Sequence, residues 1–150
     1  MSEFAINNAD KQMAKAEKNS TPDIIITCSD CEKQIDNVHL HDAGFLNMSY
    51  DLFKKQITLV LDCHEWESAD YTLQFKDVYY HEMTGCDFWG GGYNVVSWYK
   101  CDVSDIYDKL KLSEKNIPIS FDGFFGVEVL FNSGDKLRIL CREIAVKAEK

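Results

Sequence analysis

The chain has 150 residues, 45% of them hydrophobic and 13% aromatic, which is enough for one core held by neither disulfides nor a metal. Its formal net charge is −9, from 25 acidic against 16 basic residues, and it shows none of the clustered Lys and Arg that displace counterions from nucleic acid. The same sign disfavours an anionic membrane surface and suits solubility or a basic protein partner.

Residues 1–22 read as a leader or short helix. Within them the stretch ADKQMAKAEK is rich in helix formers but has only a thin apolar stripe of Ala9, Met13 and Ala16. Ser20-Thr21-Pro22 marks a break. From there residues 23–150 are expected to form a single antiparallel β domain.

Ile24-Ile25-Ile26-Thr27 is a short β-branched run. Leu46, Met48 and Tyr50 then alternate with Asn47 and Ser49, and Ile57, Leu59, Leu61 and Cys63 alternate with Thr58, Val60 and Asp62. Tyr71, Leu73 and Phe75 alternate with Thr72, Gln74 and Lys76. A period of two marks half-buried strands. The alternation slips at Asp77-Val78, as at a bulge or strand bend. The following HEMTGCDFWGGG has no clean period and reads as a loop. Residues 93–101 resume as a strand with apolar residues at both parities, as expected of a strand covered on both faces.

Asp102 or Ser104 can cap a short helix that turns Ile106, Leu110 and Tyr107 to the core and ends near Ser113. An irregular stretch follows, punctuated by Pro118, Gly123 and Gly126. Val127, Val129 and Phe131 then lead into Asn132-Ser133-Gly134-Asp135, and Leu137, Ile139 and Cys141 lead out, the pattern of a β-hairpin. The fold expected is mainly β, with α+β possible. It would be a single antiparallel sheet, sandwich or half-barrel of about 6–8 strands with one or two short helices.

The first residues lack a basic stretch followed by an apolar one, and no run approaches the roughly 20 apolar residues of a membrane helix. The expected compartment is the cytoplasm. There the six cysteines would stay reduced, most of them acting as small buried hydrophobes.

Cys28-Ser29-Asp30-Cys31, followed by His39-Leu40-His41, is the metal candidate. Two thiolates from one turn suit adjacent vertices of tetrahedral zinc, and two histidines of like parity on a strand would supply the other two. The spacing between the pairs is not a familiar zinc pattern, and a core of this size needs no staple. A redox role for Cys28 and Cys31 is opposed by Asp30 and Glu32, whose charges hold thiols protonated. His41-Asp42 could be a general base and its orienter, but neighbours on a strand point to opposite faces, so a direct bond between them is not expected. A polar pair in a turn is the plainer reading. Cys63-His64 and His81 are isolated.

Gly90-Gly91-Gly92 matches no phosphate-binding motif. The rings around it, above all Tyr80, Phe88, Trp89 and Tyr93, could form a partner-binding surface, since Trp and Tyr dominate interface hot spots. The alternative is that they fill the core beneath the loop.

His41-Asp42-Ala43, the Tyr-Asp hairpin into ITLVLD and LQFKDVYYHEMTGCDFWGGG together resemble small β-rich bacterial proteins of uncharacterised function. Some of these sit in polymorphic-toxin loci and are classed as immunity-like. The resemblance spans about residues 39–101 and the closing hairpin. It is one of strand and turn patterns, implies no site residues and omits Cys28 and Cys31.

No catalytic constellation is visible. The first expectation is therefore a non-enzymatic protein-binding domain, immunity-like, with a basic partner, no nucleic acid, no membrane and no cofactor. Two alternatives are a zinc-binding or hydrolytic enzyme using Cys28, Cys31, His39 and His41, and a small-ligand carrier with a sheet-lined pocket.

Overall fold

The alternating segments pair as antiparallel strands, and a computed structural model describes them over residues 24–63, 70–84, 94–113 and 121–149. In chain order they are β1 (Ile24–Thr27), α1 (Cys31–Asn37), β2 (Gly44–Asp51), β3 (Gln56–Asp62), β4 (Asp70–Lys76), β5 (Tyr80–Met83), β6 (Val95–Cys101), α2 (Ser104–Ser113), β7 (Phe125–Phe131), β8 (Lys136–Cys141) and β9 (Glu143–Glu149). The strands form a five-stranded sheet, β1-β9-β4-β3-β2, and a four-stranded sheet, β5-β8-β7-β6, both antiparallel and without barrel closure. The proposed helix within residues 1–22 and the loop residues 85–93 lie outside the described residues.

The alternation decides which side chains fill the space between the sheets. Ile57, Leu59, Leu61, Leu73 and Phe75 enter it from the first sheet, and Val129, Phe131, Leu137 and Ile139 from the second. Each is almost fully buried, and burial of such a side chain stabilises the fold by roughly 1.5–3 kcal/mol. Phe45 closes edge-on against Phe131, with ring centroids 5.6 Å apart.

The slip at Asp77-Val78 is a corner. Asp77 adopts a left-handed φ of 54°, which an Asp tolerates better than a branched residue. There the chain leaves β4 in one sheet and starts β5 in the other. Its neighbour bends at the same place: β8 passes into β9 through Arg142, whose N–H donates to Lys76 O at 3.1 Å. Lys76 faces Glu143 before the corner and Tyr80 faces Leu140 after it. The two sheets thus share one bent ribbon. On the opposite side Gly44 bridges Asn94, Asp42 N–H donates to Val95 O and Val95 N–H donates to Ala43 O, both at 2.8 Å.

Several expectations need correction. His81 to Met83 belong to β5 rather than to a loop. β6 is not covered on both faces: a bulge between Val95 and Ser97 shifts its parity, leaving Val95 and Trp98 buried while Val96 and Tyr99 are exposed. Residues 31–37 form α1, and residues 143–149 form β9, which lies between β1 and β4. α2 ends at Ser113 as expected, with the side chain of Leu110 outside the described residues. Asp102 Oδ1 accepts from Ser104 N–H at 2.9 Å and from Ser104 O–H at 2.7 Å, and Ile106 is fully buried.

Candidate functional site

β2 is the edge strand of the larger sheet. Its register slips by one residue at Leu46, a bulge that turns the Leu46 side chain out. Among the described residues, the backbone bonds joining β2's end of the sheet to anything but β3 are confined to Asp42–Gly44. Past that point the outer edge faces away from the sheet. Its sequence, GFLNMSYD, contains neither Lys nor Pro, the residues that commonly guard such edges.

The β2–β3 turn extends this edge. Asp51 Oδ1 accepts from Phe53 N–H at 3.0 Å and from Lys54 N–H at 3.1 Å, and Lys55 takes a left-handed φ of 52°. This Asx turn fixes the backbone while pushing two large apolar side chains outward. Phe53 is 99% exposed and Leu52 72%. Leu46 and Tyr50 of β2 are also exposed. Tyr50 touches the ring of His81 on β5, centroids 4.8 Å apart.

The metal candidates fall in two places. Cys28 is exposed in the turn after β1, and Cys31 is buried as the first residue of α1. His39 and His41 lie in the exposed turn before β2 and not on a strand. Among the described residues no group of three or more His, Cys, Asp or Glu side chains is placed to hold a metal ion, so these four do not converge. His41 Nδ1 lies 2.7 Å from Val96 O, and its Nε2 lies 3.4 Å from Asp42 Oδ2. This direct contact, not expected of strand neighbours, arises because Asp42 has a φ of 65° in a turn. Both side chains are mostly exposed, and the pair caps the junction between β2 and β6.

The strongest electrostatic feature lies on the outer face of the smaller sheet. Arg138 of β8 stands opposite Glu82 of β5 on one side and Glu128 of β7 on the other. Its Nη1 donates to Glu82 Oε1 at 2.9 Å, and its Nη2 donates to Asp102 O at 2.9 Å. Two further bonds reach Asp105 of α2. Hydrogen bonds from Arg138 hold the Asp105 carboxyl down at about 2. At Glu82, burial pulls the pKa up, but bonds from Tyr80 and Arg138 prevail and lower it. The guanidinium is thereby saturated with acceptors, and it staples α2 to the sheet. Burial raises the neighbouring Cys101 thiol, which makes it a poor nucleophile.

Of the rings expected to bind a partner, Tyr80 is half-buried and donates its O–H to Glu82 Oε2 at 2.8 Å. Phe88, Trp89 and Tyr93 lie outside the described residues. Trp98 is buried and donates Nε1–H to Val38 O at 2.8 Å. Tyr79 packs edge-on against Phe121 and Phe124. Leu46, which the alternation places on a half-buried face with Met48 and Tyr50, is instead exposed at the bulge, and Leu52 and Phe53 carry no motif in the sequence. The available signal was two apolar residues inside an otherwise polar turn, YDLFKKQ, which breaks the usual turn chemistry. Among the described residues, no helix is long and apolar enough to cross a membrane. No protein-family model matches this chain, and no curated protein matches its sequence.

Proposed function

We propose that this domain is a non-enzymatic protein-binding module, immunity-like in the sense its sequence resemblance implies, which receives an extended segment of a basic protein along the outer edge of β2. One observation carries the reading: β2 is an edge strand with neither Lys nor Pro that runs into a tip carrying a 99% exposed Phe53. Open backbone groups on an edge supply affinity through strand addition, and flanking apolar side chains supply specificity. A large aromatic at a rigid turn is the kind of side chain that becomes a hot spot. The net charge of −9 favours a positively charged partner and speeds its approach.

The test is affinity capture from the native host with the wild-type chain and with Phe53→Lys and Ser49→Pro variants of equal stability. The expected result is one basic protein retained by the wild type and lost by both variants, because the first removes the anchor and the second blocks edge pairing. Retention of the same partner by both variants would contradict the reading.

A further inference from the structure

The joint between β1 and α1 carries a pair of thiols in two different environments. Thr27 O accepts from Asp30 N–H at 3.3 Å, closing the turn, and α1 opens at Cys31. Cys28 is exposed, with Sγ 3.5 Å from Phe124 O, while Cys31 is 2% exposed and belongs to the core. The two cysteines stand three residues apart at either end of this turn, a chain separation at which turns and helices bring Cα atoms within roughly 5–7 Å, and a disulfide bridges a span of that order. Both sulfurs are free. Both residues line one open crevice of about 240 Å³, together with Lys33 of α1 and Lys100 of β6. The acids near the pair, Asp30 and Glu32, share that crevice. Asp30, however, is engaged locally, accepting from Thr27 and from Gln34 Nε2.

We propose that Cys28 and Cys31 form a thiol–disulfide exchange site whose co-substrate is an anionic low-molecular-weight disulfide, of the glutathione disulfide class. An accessible sulfur beside a sheltered one is the division of labour such exchange needs. Lys33 and Lys100 provide the positive charge that suits an anionic disulfide.

The chemistry balances in two displacements. Cys28, as thiolate, attacks one sulfur of the incoming disulfide. That S–S bond breaks, one thiolate leaves and takes up a proton, and Cys28 is left in a mixed disulfide. Cys31 then gives up its proton and attacks Cys28 Sγ, expelling the second thiolate, which is protonated in turn. Two protein thiols are oxidised by two electrons to one disulfide, and the small disulfide is reduced to two thiols. Burial raises the pKa of the Cys31 thiol, and the Glu32 carboxylate adds to that, while Lys100 pulls it down. The second displacement therefore quickens as pH rises, and the mixed disulfide accumulates at lower pH.

The test is incubation of the full chain with oxidised glutathione, acid quenching, alkylation of remaining thiols and peptide mapping by mass spectrometry. The expected product is a Cys28–Cys31 disulfide. Cys31→Ser should stop at a Cys28–glutathione adduct, Cys28→Ser should give neither species, and Lys100→Gln should slow the second displacement several-fold. Cys28 is exposed, so Cys28→Ser is expected to fold even if Cys31→Ser does not, and mapping of the wild type is decisive without either. A wild type that stops at the Cys28 adduct at all pH values, or an oxidised pair drawn from other cysteines, would overturn the proposal.

Discussion

Arg138 of β8 grips Asp105 of α2 with both terminal nitrogens, Nη1 to Oδ2 at 2.8 Å and Nη2 to Oδ1 at 2.9 Å. The fork geometry ties the first turn of α2 to the outer face of the sheet. The same guanidinium faces Glu82 and Glu128 across its neighbouring strands, and Glu128 is only 8% exposed. Arg138 therefore faces three carboxylates, of which Glu82 also pairs with Lys109.

Arg138→Met should destabilise the domain by on the order of 3 kcal/mol, because it leaves a buried carboxylate without its counter-charge. Arg138→Lys should fall between, keeping the charge but losing the two-pronged bond. Adding Glu128→Leu to Arg138→Met should recover part of the loss, since replacing both partners removes the stranded charge. Urea midpoints of the four proteins check the order.

The Asp105 carboxyl, held at about 2 against an ordinary 3.8, links this staple to pH. Its folded-state value lies below its unfolded one. Its contribution is therefore full above an ordinary Asp value of about 4 and is lost as pH falls from there through about 2. Tyr107 on α2 stacks on Phe121 at 4.3 Å, so near-ultraviolet circular dichroism should report α2 loosening across that window. Asp105→Asn should flatten the response, and an unchanged profile in that variant would place the transition elsewhere.

Gly126 sits directly opposite Cys101. A Cβ there would collide with Val103 Cγ1 and come within 3.1 Å of Cys101 Sγ and 3.3 Å of Cys101 O. Gly126→Ala should cost roughly 1–3 kcal/mol through overpacking. Adding Val103→Ala should restore most of it, as thermal melts would show. A fully stable single variant would mean that the β6–α2 connection moves freely.

How far the fold could be read ahead depended on which strands alternate. β3, β4 and the β7–β8 hairpin have one face in the core, and their residues say so plainly. β9 is different: it lies between β1 and β4, and Ile144, Ala145 and Val146 are all buried. The alternation vanishes, and its Ala, Lys and Glu look like a polar tail. α1 is too short for a period of 3.6 residues to emerge from seven positions, and its buried face is only Cys31 and Ile35. The bulge at Val96 mimicked two-sided burial, because one added residue swaps the parity of everything after it.

The candidate site was less legible. The sequence offers Tyr80 only as a ring, because its partner Glu82 lies two residues on, in a stretch without strand periodicity. The spacing of Cys28 and Cys31 reads as a metal half-site. Their separation from His39 and His41 depends on α1, which occupies the intervening chain. The β2 edge carries no chemical motif at all. Its significance comes from strand order, since the same GFLNMSYD in the middle of a sheet would be ordinary, and local sequence does not encode strand order.

Photo-crosslinking from the β2 edge tests the central claim most directly. A photoreactive side chain placed at position 49 or 53 should capture one basic protein from the native host, through an extended segment of that protein. The same group at position 147, on β9 away from this edge, should not. Equal capture from position 147, or none from positions 49 and 53 in host extract where the partner is expressed, would contradict a protein-binding role for this edge.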